Sequence, residues 1–144
     1  MKRFLLGLFV LILVLFLIAP VVFAQGVMKE YRGVRLGLSA DEVHKLLGKP
    51  RVTSPDGAED YVLNDENSVA IYYDANKTVN KIVLDFTGEK AAPDWKEVVG
   101  NAKVEDAGSG IKLAKYSSDE EQFSVTMWQK VGATVRTIIT INKK

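Results

Sequence analysis

Three regimes of hydrophobic and polar patterning divide the chain. From Phe4 to Ala24 no side chain is charged or polar. From Ser39 to Gly48 the apolar positions Val43, Leu46 and Leu47 fall at i, i+3 and i+4, the spacing of one buried helical stripe. After that the period shortens to two. Val69, Ile71 and Tyr73 alternate with polar or small neighbours, as do Ile82, Leu84 and Phe86, and Phe123, Val125 and Met127. This is the signature of strands with one buried face.

The helix is marked at both ends. Ser39 and Glu42 form a capping box, and Leu38 with Val43 a hydrophobic staple. Gly48 supplies a left-handed stop, and Pro50 prevents resumption. At about two and a half turns such a helix is unstable alone and must lie on a sheet. Strands are predicted at Tyr61 to Leu63, Ser68 to Asp74 and Val79 to Phe86, with turns at Asn64 to Asn67 and Asp74 to Lys77, and Tyr31 to Leu36 as a further edge strand. The pattern then recurs. Trp95 to Gly100 lies 52 residues after Val43 to Gly48. Strands at Ile111 to Tyr116, Phe123 to Met127 and Val135 to Ile141 answer the earlier three. The expected class is therefore α+β: a short helix packed on an antiparallel sheet, in a helix-then-three-strand unit repeated twice, over residues 25–90 and 91–144.

Residues 1–24 read as a secretory signal. Lys2 and Arg3 give a positive start, and Val22 and Ala24 stand at the positions a signal peptidase reads. The alternative is an uncleaved membrane anchor, since about 20 apolar residues span a bilayer. Either way the chain is expected to be exported, to the extracellular space, the periplasm or the cell envelope. It touches membrane only through residues 4–24 if these are retained. With 19 basic and 18 acidic residues, the net charge of +1 gives no electrostatic footing for nucleic acid. There is no cysteine, so no disulfide, thiolate site or cysteine nucleophile.

Val34 to Pro50, V-R-L-G-L-S-A-D-E-V-H-K-L-L-G-K-P, resembles the signature of the BamE-like (SmpA/OmlA) superfamily. The doubled layout is similar to that of β-lactamase inhibitor proteins. The resemblance implies a helix-on-sheet fold. Its members assist outer-membrane protein assembly, inhibit secreted enzymes or have no known role. The chain departs from the assembly lipoproteins in lacking their lipidated cysteine, and its second unit carries Ala102 in place of the proline.

Candidate chemistry is sparse. His44 is the one histidine and reads as a helix-surface residue. No G-x-S-x-G elbow, P-loop or dinucleotide fingerprint is present. Gly108-Ser109-Gly110 reads as a turn, and Asn76-Lys77-Thr78 matches a glycosylation sequon by pattern only. Asp74-x-Asn76 opens like a calcium loop, but Val79 replaces the loop glycine and the terminal Glu is missing. Asp56, Glu59, Asp60, Asp65 and Glu66 read as solvated carboxylates beside turns, as do Asp119, Glu120 and Glu121. No cofactor, metal site or catalytic residue is expected.

The opposite sheet face is the more informative surface. Alternation assigns it Ala70, Tyr72, Lys81, Val83, Tyr116, Ser124, Thr126, Trp128, Arg136, Ile138 and Thr140. Aromatics and Arg among small polar residues are what protein-binding surfaces present. The expectation is a non-catalytic module that docks another protein outside the cytoplasm, with Tyr72, Tyr116 and Trp128 as anchors and Arg136 as a polar contact. Alternatives are an inhibitor of a secreted enzyme, a membrane-tethered envelope accessory protein, and a small hydrolase using His44 or a carboxylate pair.

Overall fold

The computed structural model describes residues 26–144. Residues 1–24, expected to be a secretory signal or a membrane anchor, lie outside the described residues. Among those described, no helix is long and apolar enough to cross a membrane.

The first helix forms as its caps predict. α1 spans Ala40–Leu47. The Ser39 hydroxyl accepts from the Glu42 N–H, and the Glu42 carboxylate accepts from the Ser39 N–H at 2.8 Å. The Gly48 N–H closes the last turn on the His44 carbonyl. Val43 is fully buried and Leu47 packs against the core, but Leu46 remains 49% exposed, so the buried stripe is narrower than its spacing suggested. α2, Trp95–Val99, is capped the same way by Asp94 and Glu97.

Strands supply the rest. A small hairpin comes first, β1 (Glu30–Tyr31) and β2 (Val34–Arg35), followed after α1 by β3 (Val52–Thr53), β4 (Glu59–Asn64), β5 (Asn67–Tyr73) and β6 (Val79–Thr87). After α2 come β7 (Glu105–Gly108), β8 (Ile111–Ser118), β9 (Phe123–Lys130) and β10 (Arg136–Lys143). β3 to β10 make one antiparallel sheet in the order β3-β4-β5-β6-β10-β9-β8-β7.

The expected class is thereby corrected. The protein is mostly antiparallel β, a single eight-stranded sheet, and not an α+β pair of helix-then-three-strand units. Helices of eight and five residues are too short to form a layer of their own. β3 and β7, short and exposed throughout, add strands that the apolar pattern did not announce. β6 pairs with β10 from Arg136–Thr87 to Asn142–Lys81, which fuses all eight strands into one sheet. Tyr31 to Leu36 is a separate two-stranded hairpin rather than an edge strand of that sheet.

One sheet face is covered. Val69, Ile71, Ile82, Leu84, Val125, Met127, Ile139 and Ile141 point to it and are buried. α1 closes it with Val43, α2 with Val98 and Val99 from above β8 and β9, and the β1–β2 hairpin with Val34. Tyr31 of the hairpin meets Phe86 edge-on at 6.0 Å. Two backbone bonds tie the chain before α1 to the start of β6: the Gly37 N–H donates to the Val79 carbonyl, and the Val79 N–H to the Leu38 carbonyl. A bulge between Tyr72 and Tyr73 resets the alternation, so Val79 and Ile82 both point inward.

The β7–β8 turn requires glycine for two reasons. Gly110 has φ +74°, and a Cβ there would lie 2.6 Å from the Val131 carbonyl oxygen. Gly110→Ala is expected to lower stability by about 2 kcal/mol through backbone strain. Gly132→Ala, where a Cβ meets open space, should stay within about 0.5 kcal/mol of wild type. Urea unfolding of both variants checks this; equal stabilities would contradict the close approach.

Candidate functional site

Among the described residues, no helix lies over the opposite sheet face. Register fixes its side chains in rows across the strands. One row runs Glu105, Leu113, Trp128, Ile138, Asp85, Ser68, Val62. The next runs Lys115, Thr126, Thr140, Val83, Ala70, Asp60. A third runs Ser117, Ser124, Asn142, Lys81, Tyr72. Trp128, Leu113, Ile138 and Val83 are each half-buried, covered by one another and not by a second layer.

The predicted anchors separate on this surface. Trp128 sits between Leu113 and Ile138, with Arg136 one row away on β10. Arg136 grips Asp85 of β6 through two bonds: Nε donates at 3.0 Å to Oδ1, and Nη2 donates to Oδ2. That pair raises the Arg136 pKa by direct hydrogen bonding and charge attraction, and it bridges the β6–β10 seam while the guanidinium stays exposed. Tyr72 lies on the same face but roughly 20 Å from Trp128, three strands over and two rows along. Its ring carries Lys81 Nζ at 3.7 Å from the centroid.

Tyr116 is a correction. It pairs with Val125 and therefore points to the covered face, where it packs against the core with Phe123 at 5.8 Å between ring centroids. It cannot anchor a partner on the open face. The cause is apolar residues at both parities of β8, with Ile111 and Leu113 at odd positions and Ala114 and Tyr116 at even ones. Alternation gave no direction there.

A second polar constellation escaped the sequence reading. Glu59, expected to be solvated, is buried, with its side chain 11% exposed. Oε2 accepts hydrogen bonds from the phenols of Tyr61 at 2.7 Å and Tyr73 at 2.6 Å. Oε1 lies 2.8 Å from His44 Nε2. An ionised carboxylate only accepts, so the ring presents N–H there. Burial opposes ionisation of Glu59, but the bonds from Tyr73, Tyr61 and His44 outweigh it and hold its pKa below the ordinary carboxylate value. Burial and the neighbouring carboxylate push both phenols upward, so they remain protonated donors.

This constellation ties α1 to β4 and β5. Both carboxylate oxygens are engaged by α1 or the sheet, which favours a structural tie over general-base work. His44 is 41% exposed on its side chain, as a helix-surface residue should be, yet it has a buried partner. The only signal in the sequence was the i, i+2 spacing of Glu59 and Tyr61, with Tyr73 on the adjacent strand.

The other motifs resolve as turns. The Asp74 carboxylate accepts from the Asn76 and Thr78 N–H groups and the Thr78 hydroxyl, so its oxygens are taken up by the hairpin. Gly108, Ser109 and Gly110 all have positive φ and form the β7–β8 connection. Among the described residues, no group of three or more His, Asp or Glu is placed to hold a metal ion.

No protein-family model matches the chain. No curated protein matches it. Among solved structures it is similar to the crystal structure of YjgB, a DUF4309 family protein from Bacillus subtilis. The likeness has a TM-score of 0.52 and 13% sequence identity, and covers 84% of this chain and 90% of that one. At that identity the likeness concerns the fold alone.

The Glu59 network has a pH signature. A lowered folded-state pKa adds stability that is present above the unfolded carboxylate pKa and is lost as pH falls through the folded value. Glu59→Gln, which replaces a two-oxygen acceptor with one oxygen and a donor, is expected to cost about 1–3 kcal/mol at neutral pH. The gap to wild type should shrink as both proteins are acidified below about pH 4. Denaturant unfolding across pH measures this; a gap that stays constant down to acid pH would contradict the ionised network.

Proposed function

We propose that the protein is a non-catalytic module that binds another protein outside the cytoplasm through its open sheet face. The observation that carries this reading is the Leu113–Trp128–Ile138 row, three large apolar side chains side by side on three strands with no layer above them among the described residues. Contiguous exposed apolar surface of this kind marks interaction sites, and a central Trp flanked by Arg is the composition of binding hot spots. Trp128, Leu113, Ile138 and Arg136 form the centre of the surface, and Tyr72 a separate position at its far corner.

Export is part of the proposal and rests on the charge-free run from Phe4 to Ala24 behind Lys2 and Arg3. The resemblance of Val34 to Pro50 to the BamE-like superfamily supports an envelope setting. The inhibitor alternative rested on a doubled helix-sheet layout and is not carried forward with that layout gone.

The test is retention of partners by the full chain from cell-envelope extract, compared with Trp128→Ala. Truncating the anchor should weaken binding of a retained partner by about 2 kcal/mol, roughly 30-fold in Kd, while the fold stays intact. Equal affinity for wild type and variant would remove Trp128 from the interface.

A further inference from the structure

The strand order gives the open face a centre. β6 and β10 form its middle pair, with three strands on each side. A second copy turned about an axis parallel to the strands, over the β6–β10 seam, sets β10 on β6, β9 on β5, β8 on β4 and β7 on β3. Each side-chain row then falls on its own row, and register names the mates. Trp128 meets Ser68 and Thr126 meets Ala70, so the largest outward side chain lies against small ones. Leu113 meets Val62, which is 50% exposed. The Thr87 N–H donates to the Glu66 carbonyl, which extends the β5–β6 register by one step and puts Glu66 in the row of Arg136 and Lys130. Lys130 therefore meets Glu66. Neither is in an ion pair among the described residues.

Resting on the docking reading above, we propose that the protein this face takes is a second copy of the chain, stacked on it about that two-fold axis. A two-fold contact must be self-complementary, and this face is. At its edge Lys115 and Glu105 meet Asp60 and Arg51 of the second copy, two opposite charges against two. Arg136, already held by Asp85, meets Thr87, and Lys81 meets Asn142, so the rows set no like charges together. The β8–β9 turn lies past the last row, where Lys144 and Lys29 hold Asp119 and Glu121. Area points the same way. Eight strands about 4.8 Å apart and four rows about 7 Å apart give roughly 700 Å² on each copy, near the 800 Å² or so that a standard interface buries per partner. Facing sheets stack about 10 Å apart, a gap that Lys and Glu side chains span from both sides. The Arg136–Asp85 pair at the centre is costly to bury, so the contact is reversible and the face stands open in dilute protein.

Sedimentation velocity of the full chain over a range of concentrations tests this. Wild type should dimerise reversibly. Lys130→Glu and Glu66→Lys should each weaken the dimer by about tenfold, because the two-fold then sets like charges together at both of its equivalent contacts. Mixing the two variants should restore the wild-type affinity. In the mixed dimer the exchanged charges face each other at one contact and the original charges at the other, and recovery also shows that both variants are folded. Lys130→Gln, weakening the dimer severalfold, serves if a reversal fails to fold. A chain that stays monomeric yet retains another protein through Trp128 would leave the docking surface standing and overturn the second copy. Dimers indifferent to both charge variants, or weakened by them without recovery on mixing, would overturn this arrangement. No Trp128-dependent association of either kind would overturn both readings.

Discussion

Eight hydrogen-bonded strands present two faces, and the described residues cover one. Among the described residues, two helices of eight and five residues and a two-stranded hairpin lie on the sheet, and all three contribute buried residues to the same core. In a strand successive side chains point to opposite sides, so each residue that turns inward leaves its neighbours outward. Everything else in the structure follows from that division. The inward set is mostly apolar, aliphatic and aromatic, and is buried. The outward set must stand in water or against something else, and its composition, with Trp128 between Leu113 and Ile138, is not that of a face selected only for solvation.

The covering is fastened by two different kinds of interaction. Over β8 and β9, α2 is held by Val98 and Val99 in the core and by the Met28 N–H donating to the Val98 carbonyl. Over β4 and β5, α1 has one fully buried apolar residue, Val43, and its register on the sheet is set by His44 meeting Glu59. A buried carboxylate is costly unless each oxygen is satisfied. The two phenols and the imidazole meet that requirement, which turns a burial cost into a directional tie. The sheet edges are handled separately. β7 ends one side with Glu105 and Asp106, and β3 ends the other after two residues, both features that discourage pairing with another chain.

Much of this was legible in the residues and some was not, for reasons that can be named. Ser39, Glu42 and Gly48 specify α1 locally, because caps act through the adjacent backbone. Strands β5, β6, β9 and β10 announced themselves because one parity of each is apolar. β8 is apolar at both parities, so Tyr116 was placed on the wrong face. Val79 needed knowledge of the bulge at Tyr72. β3 and β7 lack any buried residue, and the pattern that identifies strands is burial itself. Missing those two strands and the β6–β10 pairing led to the mistaken α+β class with two repeated units. Glu59 looked solvated because it follows Pro55 and Gly57 in a turn-rich stretch, and its partners come from α1 and β5, elements brought together only by the fold.

The division of the sheet into a covered and an open face is tested most directly by the cysteine-free background of the chain. Single cysteines placed at Thr126, Thr140 and Val83, and at their inward neighbours Val125, Ile139 and Leu84, can be timed against a thiol reagent in the folded full chain. The account predicts fast labelling at the first three and protection by at least about a hundredfold at the second three, where only opening of the core exposes the thiol. Equal protection of both sets would mean that the second face is covered, and would contradict the account.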